Sequence, residues 1–190
     1  MNKVIYALAI AAATCSIAAC NSDNNTIDLR DYQEWRKAND EWVVQIQDKK
    51  NDDGTPYYKV VVPVWNPGGF ILMHQFNDPA ETADNLVPHS NSTVDVFYNA
   101  YNMDDELVDT SKDVNLYGRK GVYRIRCNNV IQGWTAALET MHVGDTVEVV
   151  VPYSMGYGTT VYGTLKPYTS MRFNMRLVDI YKYEANGNSN

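Results

Sequence analysis

The stretch Val130-Ile131-Gln132-Gly133-Trp134, with the apolar run behind it, sets the terms for any fold of this chain. Trp134, Leu138 and Met141 recur at i, i+4 and i+7, which puts them on one face of a helix. Gly144 ends the run, where a helix exit favours a residue tolerant of positive φ. Valine-rich and tyrosine-rich segments of period two lie on both sides. An apolar helix needs a dry surface to pack on, and alternating strands offer one. The sequence therefore predicts an α+β fold, a curled antiparallel β-sheet wrapped around one short α-helix over about residues 133–141, with an N-terminal helical extension. The indole at the first turn admits two readings. It fills the core, or it floors a pocket open to solvent.

The flanking segments supply the rest of the fold. Alternation predicts strands over residues 93–101, 107–110, 122–125, 146–151 and 171–183, with a turn at 103–106. In the last strand Met171, Phe173, Met175 and Leu177 face one way, while Arg172, Asn174 and Arg176 face the other. Upstream, Leu29, Tyr32, Trp35, Ala38, Trp42 and Ile46 recur at helical spacing over residues 28–47, with Asp28 and Asp31 at the positive end of the dipole. Such a stripe has to be covered, and the simplest cover is the chain's own domain. Residues 49–56 read as a turn, 57–65 as a strand, 66–69 as a turn and 70–76 as a strand that pairs back. Residues 78–91 are irregular, broken by Pro79 and Pro88.

Charge and motif content narrow the function. The net charge of −7 and the lack of a basic run argue against nucleic acid. His74, His89 and His142 sit in separate segments and make no metal spacing, and Cys127 has no catalytic histidine pattern beside it. No nucleophile elbow, P-loop or dinucleotide fingerprint occurs, so neither a cofactor nor a metal is expected.

Residues 1–19 read as a targeting segment, with Lys3 ahead of an apolar stretch and Ala18-Ala19 before a cleavage point. Ile17-Ala18-Ala19-Cys20 resembles the bacterial lipobox, which would make Cys20 the acylated N-terminus and the membrane anchor. The alternative is an ordinary secretory signal in which Cys20 is incidental. Residues 20–27 would be a polar, lipidated tether and residues 185–190 a flexible tail.

A family resemblance joins these pieces. Val130-Ile131-x-Gly133-Trp134, then Leu138, Met141 and Gly144, then Pro152 and Gly156-Tyr157-Gly158, resemble the FKBP-type peptidyl-prolyl cis-trans isomerases. Upstream, Val94-x-Val96-x-Tyr98 and Val108-Asp109-Thr110-Ser111 fit the same pattern, and Phe173-x-Met175-x-Leu177 fits its closing strand. The resemblance implies an isomerase domain over residues 92–184, with residues 28–91 as a helix-and-strand extension. It also implies that the N-terminal helix is a candidate homodimer contact.

The resemblance assigns roles as well. Trp134 would floor a proline pocket, Tyr98 and Phe173 would wall it, and Val130, Ile131, Val108 and Leu165 would complete the substrate-binding surface. The Ile131 N–H and the Tyr157 hydroxyl would donate to substrate carbonyls, with Asp109 at the pocket edge. Three departures stand out: Val108 where phenylalanine is usual, Gly121 where a pocket aromatic is usual, and residues 158–167, a stretch about one residue shorter than a common form with Thr164 and Lys166 where an aliphatic residue and proline are frequent. Such a site needs no nucleophile. Rotating a peptide bond costs about 18–20 kcal/mol because it breaks amide resonance. The twisted state has a less polar carbonyl, and a dry aromatic pocket favours it over the planar one. The expected function is a peptidyl-prolyl isomerase that assists folding of cell-envelope proteins by acting on proline-containing segments. The rivals are a catalytically weak or inactive peptide-binding chaperone and a structural lipoprotein subunit.

Overall fold

The computed structural model describes residues 27–181. The expected leader, Cys20 and the tail lie outside the described residues. A 3-10 turn at Leu29–Tyr32 is capped by Asp28, whose carboxylate accepts the Arg30 N–H, and leads into helix α1, Gln33–Gln47. The 49–56 turn follows, with Gly54 at φ 85°.

Strands β1 (Lys59–Val61) and β2 (Ile71–Gln75) form a hairpin. Then come β3 (Thr93–Tyr101), β4 (Leu107–Thr110), β5 (Asn115–Leu116), β6 (Arg119–Lys120) and β7 (Tyr123–Arg126). Helix α2 (Gln132–Leu138) precedes β8 (Thr146–Val151) and β9 (Met171–Ile180). The main sheet is antiparallel in the order β1-β2-β8-β9-β3-β4, with β7 also paired to β3. It curls round α2, whose residues from Gly133 to Leu138 are all buried. The predicted α+β architecture is the one observed.

Three expectations change in detail. The strand predicted over 57–65 shrinks to Lys59–Val61, because Pro63 lacks a ladder donor and its carbonyl accepts Asn66 N–H in a turn. The hairpin β5–β6 was not expected. Its turn places Tyr117 (φ 49°) and Gly118 (φ 86°) in the left-handed region, a conformation usually announced by Asn-Gly. Residues 59–75, read as part of the extension, join the main sheet through β2 and β8.

The continuous valine run of β8 now has a cause. Val147, Val149 and Val151 face the core around α2, whereas Val150 joins Leu72, Val43 and Tyr58 in a second core under α1. A strand buried on both faces does not alternate. Helix α1 thus covers the outer face of the sheet, as the simplest reading of its stripe requires. Its anchor is Asn39, fully buried, whose side-chain oxygen accepts the Ser170 N–H at 2.8 Å. Trp35 Nε1 donates to Thr169 Oγ1 at 3.2 Å. The irregular segment 78–91 is held by buried Asp145, which accepts from the Thr82 hydroxyl and the Gln75 amide.

Candidate active site

The site is built where the start of α2 meets β3, β4 and β9. Gly133 allows α2 to press on β8, since a Cβ there would collide with the Val151 side chain. That approach lowers Trp134 into the concave face of the sheet. The indole meets Tyr98 edge to face, with centroids 5.0 Å apart, and meets Phe173 in the same manner at 5.5 Å. Tyr98 and Phe173 reach it because they lie diagonally on the paired strands β3 and β9, on the dry face.

Trp134 is 0 % exposed, and its Nε1–H has no acceptor among the described residues. Of the two readings of the indole, the resting structure shows the sealed one. An unpaired buried donor costs about 1–3 kcal/mol, so the nest keeps an unmet polar requirement at its base.

The edge of the nest is polar. The Tyr98 hydroxyl donates to Asp109 Oδ2 at 2.7 Å, and the Thr110 N–H donates to Asp109 Oδ1 at 2.8 Å. Burial nevertheless raises the Asp109 pKa, against the pull of those two hydrogen bonds. Burial raises the Tyr98 hydroxyl as well, helped by the Asp109 charge. Tyr157 stacks on Tyr162 with centroids 4.5 Å apart, and its hydroxyl is also raised, by burial first and then by Tyr162 and Asp109.

Ile131 caps α2: its carbonyl accepts the Trp134 N–H at 2.9 Å and the Thr135 N–H at 3.2 Å. Among the described residues no acceptor takes the Ile131 N–H itself. Val130 is buried beside it. Val108 and Leu165 pack on the same core and also line an outer groove of about 350 Å³, with Trp35 of α1 as its far wall. The candidate residues Tyr98, Val108, Asp109, Val130, Ile131, Trp134, Tyr157, Leu165 and Phe173 thus surround one region of the core.

Residue 121 lacks the aromatic usual in the family, as the sequence indicated, but another aromatic joins the nest two positions later. Gly121 sits at φ 83°, where a side chain would be strained and a Cβ would meet the Phe97 ring at 2.9 Å. Tyr123 instead packs on Tyr98 with centroids 5.7 Å apart. Sequence reading missed it. The signal was there, since Tyr123 and Ile125 alternate toward the core.

The order of these elements and this aromatic nest can be set against known proteins. The family model described as FKBP-type peptidyl-prolyl cis-trans isomerase matches residues 85–178. Through that segment the chain belongs to the FKBP-type isomerase family. The chain is 30% identical over 115 residues to the macrophage infectivity potentiator of Trypanosoma cruzi, covering 60% of this chain and 54% of that protein. It is 31% identical over 96 residues to the outer membrane protein MIP of Legionella longbeachae, covering 50% of this chain and 39% of that one. The chain therefore spans about half or less of these relatives. A crystal structure of a peptidyl-prolyl cis-trans isomerase from Pseudomonas syringae pv. tomato superposes with a TM-score of 0.62 at 23% identity, covering 78% of this chain and 95% of that one. That likeness extends the FKBP-type fold beyond the matched segment.

The remaining candidates for chemistry are structural. His74 stacks on Tyr57, and His142 lies 3.7 Å from Asp145. The Cys127 thiol is fully buried and pushed up to about 11, by burial and then by Glu139, which leaves it protonated and unreactive at neutral pH. No group of three metal-ligating side chains occurs among the described residues. No helix among them is long and apolar enough to cross a membrane.

Proposed function

We propose that this FKBP-type chain catalyses cis–trans isomerisation of X-Pro bonds, with the Tyr98–Trp134–Phe173 nest as the proline site. The observation that carries the reading is the edge-to-face triad beside the Tyr98–Asp109 hydrogen bond. Together they make a dry aromatic hollow with one carboxylate on its edge. Because the indole is sealed at rest, the ring of a substrate proline reaches it only after a cover moves. Leu165 and Val108 are that cover in our reading, since each packs on the core and faces the outer groove. The Ile131 N–H and the Tyr157 hydroxyl then hold the flanking carbonyls, and Val130 completes the rim. No step requires a cofactor.

Opening has a thermodynamic consequence. If the open form is a minor species, apparent substrate affinity falls by its fractional population. The reading therefore predicts an isomerase with a weakened KM. The sealed indole also favours the rival reading, a module that binds proline-containing segments on the groove without speeding rotation.

We further place the protein at the cell envelope, anchored through Cys20 and acting on envelope proteins. This rests on the Ile17-Ala18-Ala19-Cys20 pattern and on the likeness to an outer membrane protein. The isomerase unit would be residues 92–184, supported by residues 28–91. Helix α1 spends its apolar face on its own domain, so pairing of two chains is not needed to cover it.

A proline-peptide isomerisation assay on the chain with residues 1–20 removed tests the proposal, with binding of the same peptide measured in parallel. Catalysis lost in Asp109→Asn supports the isomerase. Binding with no rate above the uncatalysed reaction supports the rival.

A further inference from the structure

The wet face of the sheet carries a second feature, whose lining shares Tyr98 with the proposed proline site. A groove of about 540 Å³ opens between the β3–β9 pair and the loop that follows β4. Its rim holds Lys112, Lys120 and Arg176, and no carboxylate lines it. None of these three cations has an ion pair among the described residues. In a chain of net charge −7, three unneutralised cations round one hollow are a local reversal of sign. The other arginines of this sheet face are engaged: Arg172 binds Glu148 and Asp105, and Arg124 binds Asp95.

The floor supplies the second observation. Asn174 lines the groove, and its buried Oδ1 has no hydrogen-bond partner among the described residues. Its amide nitrogen donates to no described residue either. A buried polar group without a partner costs about 1–3 kcal/mol, and of the two ends of this amide only the unused N–H donors suit an anion, in whichever amide orientation turns them to the groove. Phe97 and Met175 give the floor an apolar part. A site with three cations, an unsatisfied amide and an apolar floor suits an anion joined to an apolar group.

We propose that this groove binds phosphate esters, with Lys112, Lys120 and Arg176 on the phosphate oxygens and Asn174 on the bridging or terminal oxygen. The chemistry is shared by a free phosphate monoester and by an anionic phospholipid headgroup. An arginine fork and two lysines match a phosphate better than a single carboxylate, because three charges and a fork exceed what one carboxylate can engage.

The test uses the chain with residues 1–20 removed, so that no acyl group anchors it. Sedimentation with phosphatidylglycerol-containing vesicles is compared with pure phosphatidylcholine vesicles, and glycerol phosphate is titrated by NMR. Binding to either phosphate source, weakened about tenfold or more by Asn174→Leu and by Arg176→Gln, supports the site, and the arm that binds identifies the source. Circular dichroism confirms that each variant is folded. The proposal is overturned if neither source binds. It is equally overturned if Asn174→Leu binds as the wild type does while the cation variants do not, since diffuse attraction would then account for everything.

Discussion

Two carboxylates on strands of the same sheet have opposite fates. Asp95 is fully buried and lies between two guanidiniums, with Arg124 Nε at 2.6 Å and Arg119 on the other oxygen. Burial works against its charge, but the hydrogen bonds from Arg124 and Arg119 outweigh it, and its pKa is lowered. Asp109 is only half-buried, and it has a tyrosine and a backbone amide as partners but no cation. Burial wins there, and its pKa is raised. The more buried carboxylate is therefore the more comfortable one. A fully paired ion stitches the β5–β6 hairpin to β3. An under-compensated one stands at the edge of the aromatic nest, where a substrate could complete it.

The comparison can be broken at either end. Asp95→Ala would strand Arg119 and Arg124 and should cost about 3 kcal/mol of unfolding free energy in urea titration. The specific isomerisation rate of the folded fraction should be unchanged. A loss below about 1 kcal/mol would mean that the pair behaves as an ordinary surface bridge.

Asp109→Asn should do the reverse. It keeps the shape of the site and should leave stability within about 1 kcal/mol, while kcat/KM falls about tenfold, or about 1.4 kcal/mol in the barrier. Equal kcat/KM in the two proteins would remove Asp109 from the reaction.

Acid–base linkage sharpens the contrast further. A raised carboxyl pKa in the folded state means that stability is fully present below the unfolded value, near 3.8, and is lost as pH rises through the folded pKa. Wild type should therefore lose stability relative to Asp109→Asn as pH rises from that value. The Asp95 contribution has the opposite sign: it is present above 3.8 and lost as pH falls through the lowered pKa. Denaturant midpoints of wild type, Asp95→Asn and Asp109→Asn across the acid range should show two slopes of opposite sign.

The last contrast sets two substitutions of the indole against each other. Trp134→Phe removes the unpaired N–H while keeping a ring, and should change stability by no more than about 1–2 kcal/mol. Trp134→Ala leaves a cavity and should cost about 3–5 kcal/mol. Similar losses in both would show that the N–H has a partner in solution.

Much of this was legible in the sequence. The bounds of β3 and β4 follow from alternation and turn residues, those of β8 from its valine run, and the place of α2 from Gly133, Trp134 and Leu138, although the helix ends at Leu138, short of the expected residue 141. What was not legible depends on tertiary partners. Tyr117 adopts a left-handed conformation that its residue type disfavours, so β5–β6 gave no local signal. Asn39 looks like one more polar residue on α1 until Ser170 arrives from the far end of the chain. In the candidate site, the sequence named Tyr98, Asp109 and Trp134 and the structure brings them into contact, but the burial of the indole was not readable. In our reading the closure over it lies with Leu165 and Val108, whose packing sequence spacing does not report.

The most direct measurement is the indole N–H resonance of Trp134, followed while a proline peptide is added to the chain lacking residues 1–20. The account predicts a large shift of that signal, together with faster hydrogen exchange, and neither effect with a peptide carrying alanine in place of proline. A proline peptide that binds and is isomerised while the Trp134 signal stays fixed would place the reaction elsewhere on the molecule.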